Sequence, residues 1–106
     1  MDDGIVVLIT ASSGDEAAVI GKALVDGRLA ACANIVPDVR SLFSWEGKTQ
    51  DERETLLIVK SRSPLMTELI ATVKSLHSYK VPEIIALPIV AGAQDYLEWL
   101  REITKA

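Results

Sequence analysis

The stretch HSYKVPEIIALPIV, residues 77–90, joins a polar heptapeptide to a long apolar run. The apolar half, residues 84–90, predicts a buried strand. Pro82 forces the residue before it into extended backbone, so the chain must leave any preceding helix at this point. The stretch therefore predicts a helix, a polar loop and a core strand in direct succession.

The polar half of this stretch concentrates groups that can bind a ligand. It holds His77, which is the only histidine, together with Tyr79, one of two tyrosines, and Glu83. A rigid scaffold often presents binding groups on such a loop between two core elements. The alternative is an ordinary connection between a helix and a strand. The local pattern leaves both interpretations open.

Upstream, the first elements are a strand and a helix. The apolar run of residues 5–10 predicts a strand that is buried on both faces and central in its sheet. Ser13 and Glu16 fit a capping box that begins a helix. Gly27 occupies a position that favours the end of that helix.

A long hairpin is predicted next. Residues 29–45 have an extended pattern, which Pro37 interrupts because proline cannot donate to a sheet. Glu46 and Gly47 form a tight-turn dipeptide, and residues 56–59 predict a third, buried strand after a polar segment. A hairpin of this length exceeds what a four-stranded sheet can cover. We expect its tip to protrude and its free edges to pair with another subunit.

Two more helices complete the pattern. Ser63 before a proline predicts the start of the second helix, which ends near His77, and Asp95 can cap a third. The order strand, helix, strand, strand, helix, strand, helix predicts one α+β domain over residues 1–106. Its expected fold is the ferredoxin-like βαββαβ sandwich, with an extended hairpin between the second and third strands and an extra C-terminal helix.

Composition narrows the class of protein. At 106 residues and 49% hydrophobic content the chain can bury a real core. The net charge of −4 and the absence of a Lys/Arg cluster argue against nucleic-acid binding. No apolar run reaches the roughly 18–20 residues of a membrane span. The acidic N-terminus is unlike a signal peptide, and a single cysteine fits a reducing compartment. We therefore expect a cytoplasmic protein.

Cys32 and His77 are the side chains best suited to a transition metal. A thiolate and an imidazole favour copper or zinc, but two ligands cannot complete a tetrahedral site. A symmetric oligomer supplies each ligand several times, so a metal site is expected only between subunits. The alternatives are that Cys32 is a small core residue and that His77 is favoured by the dipole at a helix end.

Other chemistry has weaker support. A Cys–His nucleophile is disfavoured because Cys32 lies in a strand-like stretch and not at a helix N-terminus. No phosphate-binding loop, carboxylate pair or HExxH motif is present, so we expect neither an enzyme nor an organic cofactor. Glu83 and Lys60 are candidates for holding a metal or an anion. The large apolar bodies of Trp45 and Trp99 favour an interface.

Several spaced motifs resemble those of the CutA family, the divalent-cation tolerance proteins. They are AACANIVP at 30–37, SLFSWEGK at 41–48, HSYKVPEI at 77–84 and the segment from Gly92 to Leu100. The resemblance spans nearly the whole chain. Phe43 stands where a tyrosine is common in the family, which removes a hydroxyl from any site between subunits.

The resemblance implies a ferredoxin-like protomer in a tightly packed homotrimer that binds Cu(II) or another divalent cation near subunit interfaces. It also implies a likeness to the trimeric PII signalling proteins. An alternative function is therefore the binding of a small anionic effector in the cleft between subunits. The implied metal ligands are Cys32, His77 and Glu83. The implied effector residues are Lys60, Tyr79 and Glu83. The expected trimer interface contains Phe43, Trp45, Tyr96 and Trp99.

Overall fold

Four antiparallel strands and three α-helices form within the described residues, in the order predicted from the sequence. The structure is a computed structural model and describes residues 3–106. The elements are β1 (Gly4–Ala11), α1 (Gly14–Asp26), β2 (Cys32–Trp45), β3 (Lys48–Arg62), a short 3₁₀ helix (Ser63–Leu65), α2 (Met66–Leu76), β4 (Ile84–Pro88) and α3 (Gln94–Ile103). The strands lie in the order β2-β3-β1-β4, so β1 is interior as expected.

The core lies between one face of the sheet and the helices α1 and α2. Alternate residues of a strand point to the same face, so Val7 and Ile9 of β1 lie beside Val59 and Leu57 of β3 and are fully buried with them. Helix α1 packs closely over β2 at Gly21. A Cβ at that position would lie 3.3 Å from the Ala33 side chain. The absence of a side chain thus brings α1 close to the sheet.

The opposite face of the sheet is largely open. Val36, Ile85 and Leu87 lie on this face and are 38%, 52% and 53% exposed. Helix α3 reaches β1 and β3 but leaves this apolar surface mostly uncovered. We call it the open face.

The hairpin of β2 and β3 extends beyond the sheet as an arm. The β1 ladder ends where Ala11 pairs with Thr55, so residues 48–54 of β3 pair only with β2. The polar segment is therefore strand and not a connection, since residues on an exposed arm need no apolar face. The turn has positive φ at Glu46 (51°) and Gly47 (78°), as a tight two-residue turn requires. A bulge between Val36 and Val39 lies at the predicted interruption.

Helix α1 ends at Gly27, its C-cap, as predicted, and the left-handed conformation falls on the next residue, Arg28, with φ 60°. Arg28 tolerates this conformation while its guanidinium donates to the Ile103 carbonyl at 3.1 Å, which ties α1 to the end of α3. Two other predicted helix boundaries need correction. Ser63 lies within the 3₁₀ helix and Asp95 in the first turn of α3, so neither is the capping residue.

None of the helices formed by residues 3–106 has the length and apolar character needed to cross a membrane. Residues 1 and 2, which begin the acidic N-terminus, lie outside the described residues.

Candidate functional site

A cleft lies between the base of the arm and the loop of residues 77–83. Its volume is about 400 Å³. An adjoining hollow of about 640 Å³ shares Phe43, Trp45, Tyr79 and Val81 with the cleft and adds Arg53 and Lys80. The cleft is lined by Thr10, Ser41, Leu42, Phe43, Trp45, Glu54, Tyr79, Val81 and Glu83. The predicted polar loop therefore does form one wall of a concave site.

His77 holds this loop against β1. Its side chain is 0% exposed. Nε2 lies 2.7 Å from the Thr10 carbonyl oxygen, and Nδ1 accepts from the Tyr79 backbone N–H at 3.0 Å. These bonds place the ring proton on Nε2, which donates to Thr10. A metal needs the lone pair of a ring nitrogen, and the Nδ1 lone pair is already used. The structure thus argues against His77 as a ligand and gives it a structural role.

Glu16 ties the same loop to α1. Its carboxylate accepts from the backbone N–H and hydroxyl of Ser12 at 3.0 and 3.1 Å, and from the Ser78 N–H at 2.9 Å. Ser13 caps α1 as predicted, by accepting from the Glu16 N–H at 3.1 Å. The reciprocal bond of the capping box goes to Ser12 instead of Ser13. Burial alone would raise the pKa of Glu16, but the hydrogen bonds from Ser12 and Ser78 outweigh it and lower the pKa to about 2.

Replacing Glu16 by glutamine is expected to reduce stability in a pH-dependent way. The folded pKa of about 2 lies below the ordinary value of 4.5. The stability contributed by Glu16 is therefore complete above about pH 4.5 and is lost as the pH falls toward 2. We expect Glu16→Gln to lose about 2 kcal/mol of unfolding free energy at pH 7. The loss should shrink toward pH 3.

Urea unfolding at pH 7, 5 and 3 measures this effect. Glu68→Gln is the matched control, because Glu68 is 57% exposed and, among residues 3–106, forms an ion pair with Lys105 alone. Equal losses from Glu16→Gln at pH 7 and pH 3 would contradict the assignment.

Tyr79 and Glu54 form the floor of the cleft. The Tyr79 hydroxyl donates to Glu54 Oε2 at 2.7 Å. Burial raises the pKa of Tyr79 well above its ordinary value, and the hydrogen bond and charge of Glu54 raise it further. Glu54 is only 7% exposed. Within residues 3–106 no Lys, Arg or His nitrogen lies within 4.0 Å of its carboxylate.

Sequence reasoning did not identify Glu54. It falls in the polar segment that precedes the predicted third strand. One signal was available. Glu54 precedes Leu56 and Ile58 by two and four residues, so in a continuous strand it shares their face of the sheet. Recognising that β3 begins before residue 55 would have placed this carboxylate on the side of the open face, in line with Leu56.

Cys32 and Lys60 lie elsewhere on the sheet. Cys32 pairs with Lys60 across β2 and β3, and both side chains are near Asn34, to which Lys60 Nζ donates. The carbonyl that holds His77 belongs to Thr10, which pairs with Leu56. Leu56 and Lys60 are about 13 Å apart along the strand.

The structure therefore separates Cys32 from His77, and Lys60 does not line the cleft with Tyr79 and Glu83. In the part of the chain from 3 to 106, no three His, Cys, Asp or Glu side chains gather closely enough to hold a metal ion. The assignment of Cys32 and Glu83 as ligands stays a prediction. If they bind a metal, other groups must complete the site.

The aromatic residues predicted for an interface are all partly exposed. Phe43 and Trp45 are 41% and 44% exposed on the arm, where they also line the cleft. On α3, Tyr96 and Trp99 are 42% and 43% exposed, with ring centroids 5.5 Å apart. Burial raises the pKa of Tyr96, and the neighbouring Cys32 raises it further. These exposures leave the side chains free for a contact between subunits.

The fold and the cleft together define a class of small α+β proteins. Their four-stranded sheet is covered by helices on one face, and a hairpin arm overhangs a cleft beside the loop that precedes the last strand. The model of the family described as CutA1 divalent ion tolerance protein matches residues 5–103. The chain belongs to this family.

Individual relatives agree with the family match. The divalent-cation tolerance protein CutA of Thermus thermophilus is 52% identical over 99 residues, which are 93% of this chain and 96% of the relative. A chloroplastic CutA of Arabidopsis thaliana is 45% identical over 95% of this chain, which spans only 56% of that protein. The solved structure of the Thermus thermophilus protein superposes with a TM-score of 0.94, at 50% identity and with 96% and 99% of the two chains covered.

Proposed function

We propose that this protein acts in divalent-cation tolerance as a cytoplasmic homotrimer of ferredoxin-like protomers that binds cations and catalyses no reaction. The names of its relatives support the tolerance role. The strand order β2-β3-β1-β4, with every pair antiparallel, supports the ferredoxin-like description. The single cysteine fits the reducing environment of the cytoplasm.

The open face is the observation that most strongly supports the proposed trimer. A four-stranded sheet normally buries both faces or keeps the second one polar. Here the second face carries Val36, Ile85 and Leu87, which are between 38% and 53% exposed. An apolar surface of this kind marks a contact with another protein. Copies of the same chain are the simplest partner, because they also pair the free edges of the arm.

The cation site is proposed at the contacts between protomers. One protomer gathers no set of three ligating side chains within residues 3–106, whereas a trimer repeats each ligand three times. Cys32 supplies a thiolate that suits copper or zinc, and Glu83 supplies an exposed carboxylate. Because both His77 nitrogens are engaged within the protomer, Cys32 is the stronger candidate for Cu(II) or a similar cation.

Native mass spectrometry tests this proposal directly. The expected result is a trimer that takes up a defined number of Zn(II) or Cu(II) ions under anaerobic conditions, with lower uptake in Cys32→Ser and an unchanged trimer. Glu68→Gln controls for the loss of an exposed side chain from α2. A trimer that stays metal-free, or that takes up metal without stoichiometry, would count against the cation site.

A PII-like function is the second candidate, and the cleft supports it. The loop of residues 77–83 and the arm enclose a space large enough for a small effector. The adjoining hollow offers an anionic group two positive side chains, Arg53 and Lys80, although Glu46 and Glu52 also line it. A thermal-shift screen in which nucleotides and other anionic metabolites stabilise the protein, while divalent metals do not, would favour this function.

A further inference from the structure

His77 makes two hydrogen bonds that respond differently to its charge. The side chain is 0% exposed. Nε2 donates to the Thr10 carbonyl oxygen at 2.7 Å, and Nδ1 accepts from the Tyr79 backbone N–H at 3.0 Å. The first bond needs a proton on Nε2, which the neutral and the protonated ring both carry. The second needs the lone pair of Nδ1, which protonation removes. The attachment of Tyr79 therefore depends on a neutral ring.

Glu16 is placed to bind the protonated ring. Its Oε1 lies 3.7 Å from Nδ1 of His77, which is too far for a hydrogen bond in the neutral state. A shift of about 1 Å would give the separation of about 2.7–2.9 Å that is usual for a charge-assisted bond. A buried charge is tolerated only beside such a partner. The Glu16 side chain is 13% exposed, so solvent reaches the carboxylate next to the ring.

Glu16 is also ionised over the range in which a histidine titrates. Burial raises the pKa of Glu16, but hydrogen bonds from Ser12 and Ser78 outweigh it and lower the pKa to about 2. Histidine side chains ordinarily gain their charge between about pH 5 and 8. On acidification the acceptor is therefore already negative when the ring takes up a proton.

The other titratable groups near the ring do not compete for this role. The ring centroids of Tyr79 and His77 are 4.7 Å apart, and the Tyr79 hydroxyl donates to Glu54 at 2.7 Å. Burial raises the pKa of Tyr79, and Glu54 raises it further, so the phenol stays neutral. Among residues 3–106, no lysine nitrogen lies within 4.0 Å of the Glu16 carboxylate. Besides Glu16, the last turn of α2, the loop and β3 contribute Lys74, Tyr79, Lys80, Glu52 and Glu54.

We propose that His77 is a pH switch that holds the loop of residues 77–83 when neutral and releases it at Tyr79 when protonated. The added proton comes from solvent to Nδ1, which then donates to Glu16, and the Tyr79 N–H loses its acceptor. Ser78 stays bound to Glu16 in both states. The switch operates within one protomer and needs neither a ligand nor a subunit contact. It can therefore fail or hold independently of the trimer and of the proposed cation site.

Nuclear magnetic resonance measures the state of the ring directly. The chain has one histidine, so its imidazole gives a single set of signals. Long-range ¹H–¹⁵N correlation spectra between pH 8 and pH 4.5 distinguish the two neutral tautomers from the protonated ring. We expect the Nε2–H tautomer at high pH and the doubly protonated ring at low pH, while the protein stays folded.

The Tyr79 amide reports on the loop. We expect its signal to shift with the same midpoint as the His77 imidazole. Its protection against hydrogen exchange, corrected for the direct effect of pH on exchange, should fall about tenfold, as expected for the loss of one hydrogen bond. The Leu29 amide donates to the Leu24 carbonyl at 2.9 Å at the end of α1. Its protection should be unchanged, which would exclude general unfolding.

Two variants test the residues on which the switch depends. His77→Gln cannot become charged, so the Tyr79 signal should no longer depend on pH in this range. Glu16→Gln removes the negative acceptor, so the ring should titrate at lower pH than in the parent. Glu68→Gln, which removes an exposed carboxylate of α2, should titrate like the parent.

Three results would overturn the proposal. The imidazole could stay neutral until the protein unfolds, it could titrate while the Tyr79 amide stays unchanged, or it could titrate in Glu16→Gln at the same pH as in the parent. If His77→Gln does not fold, the spectra of the parent and of Glu16→Gln still decide between the switch and a purely structural ring.

Discussion

Replacing both Ile85 and Leu87 by aspartate is expected to convert the proposed trimer into folded monomers. The two side chains lie on the open face of β4, opposite Leu8 and Val6 of β1. They are 52% and 53% exposed in one protomer, so little of the protomer's own core depends on them. In a trimer built on this face, the double variant would bury six carboxylates without partners. Each buried ion costs several kcal/mol, which exceeds what one subunit contact can offset.

Sedimentation velocity measures the assembly, and far-UV circular dichroism shows whether the monomer keeps its helices and strands. Val19→Asp provides the matched control. Val19 is as exposed as the two β4 residues, at 56%, but lies on α1, on the other side of the molecule from the open face. The control should remain trimeric at every concentration. A double variant that is still a trimer would show that the open face is not the contact, and a parent protein that is monomeric would remove the trimer altogether.

The order of the strands and helices could be predicted because it depends on local patterns in the sequence. The apolar run at residues 5–10, the turn at Glu46 and Gly47 and the interruption at Pro37 each depend on neighbouring residues in the chain. The loop of residues 77–83 was identified for the same reason. Pro82 ends the helical pattern, and the apolar strand that follows fixes where the loop must end.

The interior of the site could not be predicted because it depends on contacts between distant residues. His77 meets the carbonyl of Thr10, and Glu16 meets Ser78, across more than sixty positions in each case. No periodicity records such a pairing. The sequence suggested His77 as a metal ligand because an imidazole suits copper or zinc, with a structural role at the helix end as the alternative. The chemistry available to a side chain does not determine which groups surround it.

Glu54 illustrates the opposite difficulty. The polar composition of residues 48–54 is typical of a solvated connection, so composition alone does not indicate that Glu54 is buried. Only the register of β3 reveals that this carboxylate follows the same face as Leu56 and ends beneath Tyr79. The hydrogen bond at the floor of the cleft joins Glu54 of the arm strand to Tyr79 of the loop. Neither segment by itself indicates that the other lies beside it.

The second large effect is expected at His77. His77→Ala removes a fully buried ring and leaves the Thr10 carbonyl and the Tyr79 N–H without their partners. Two lost buried hydrogen bonds and a cavity together destabilise a protein by about 3–4 kcal/mol. Thermal and urea unfolding at one fixed protein concentration measure the loss, because the melting of an oligomer depends on concentration. The loop of residues 77–83 should also become more mobile in this variant.

The decisive comparison is with Cys32→Ser, because we expect one variant to lose stability and the other to lose metal uptake. Cys32 is partly exposed and its thiol makes a weak contact with Asn34 and neighbours Tyr96, so serine should preserve stability within about 1 kcal/mol while metal uptake falls. His77→Ala should lose stability and, at temperatures where it remains folded, take up as much metal per subunit as the parent. A stable His77→Ala protein with reduced metal uptake would show that His77 is a metal ligand. It would also mean that the ring gives up its bond to Thr10 or Tyr79 when a metal binds, because neither nitrogen is free in the structure described for this chain.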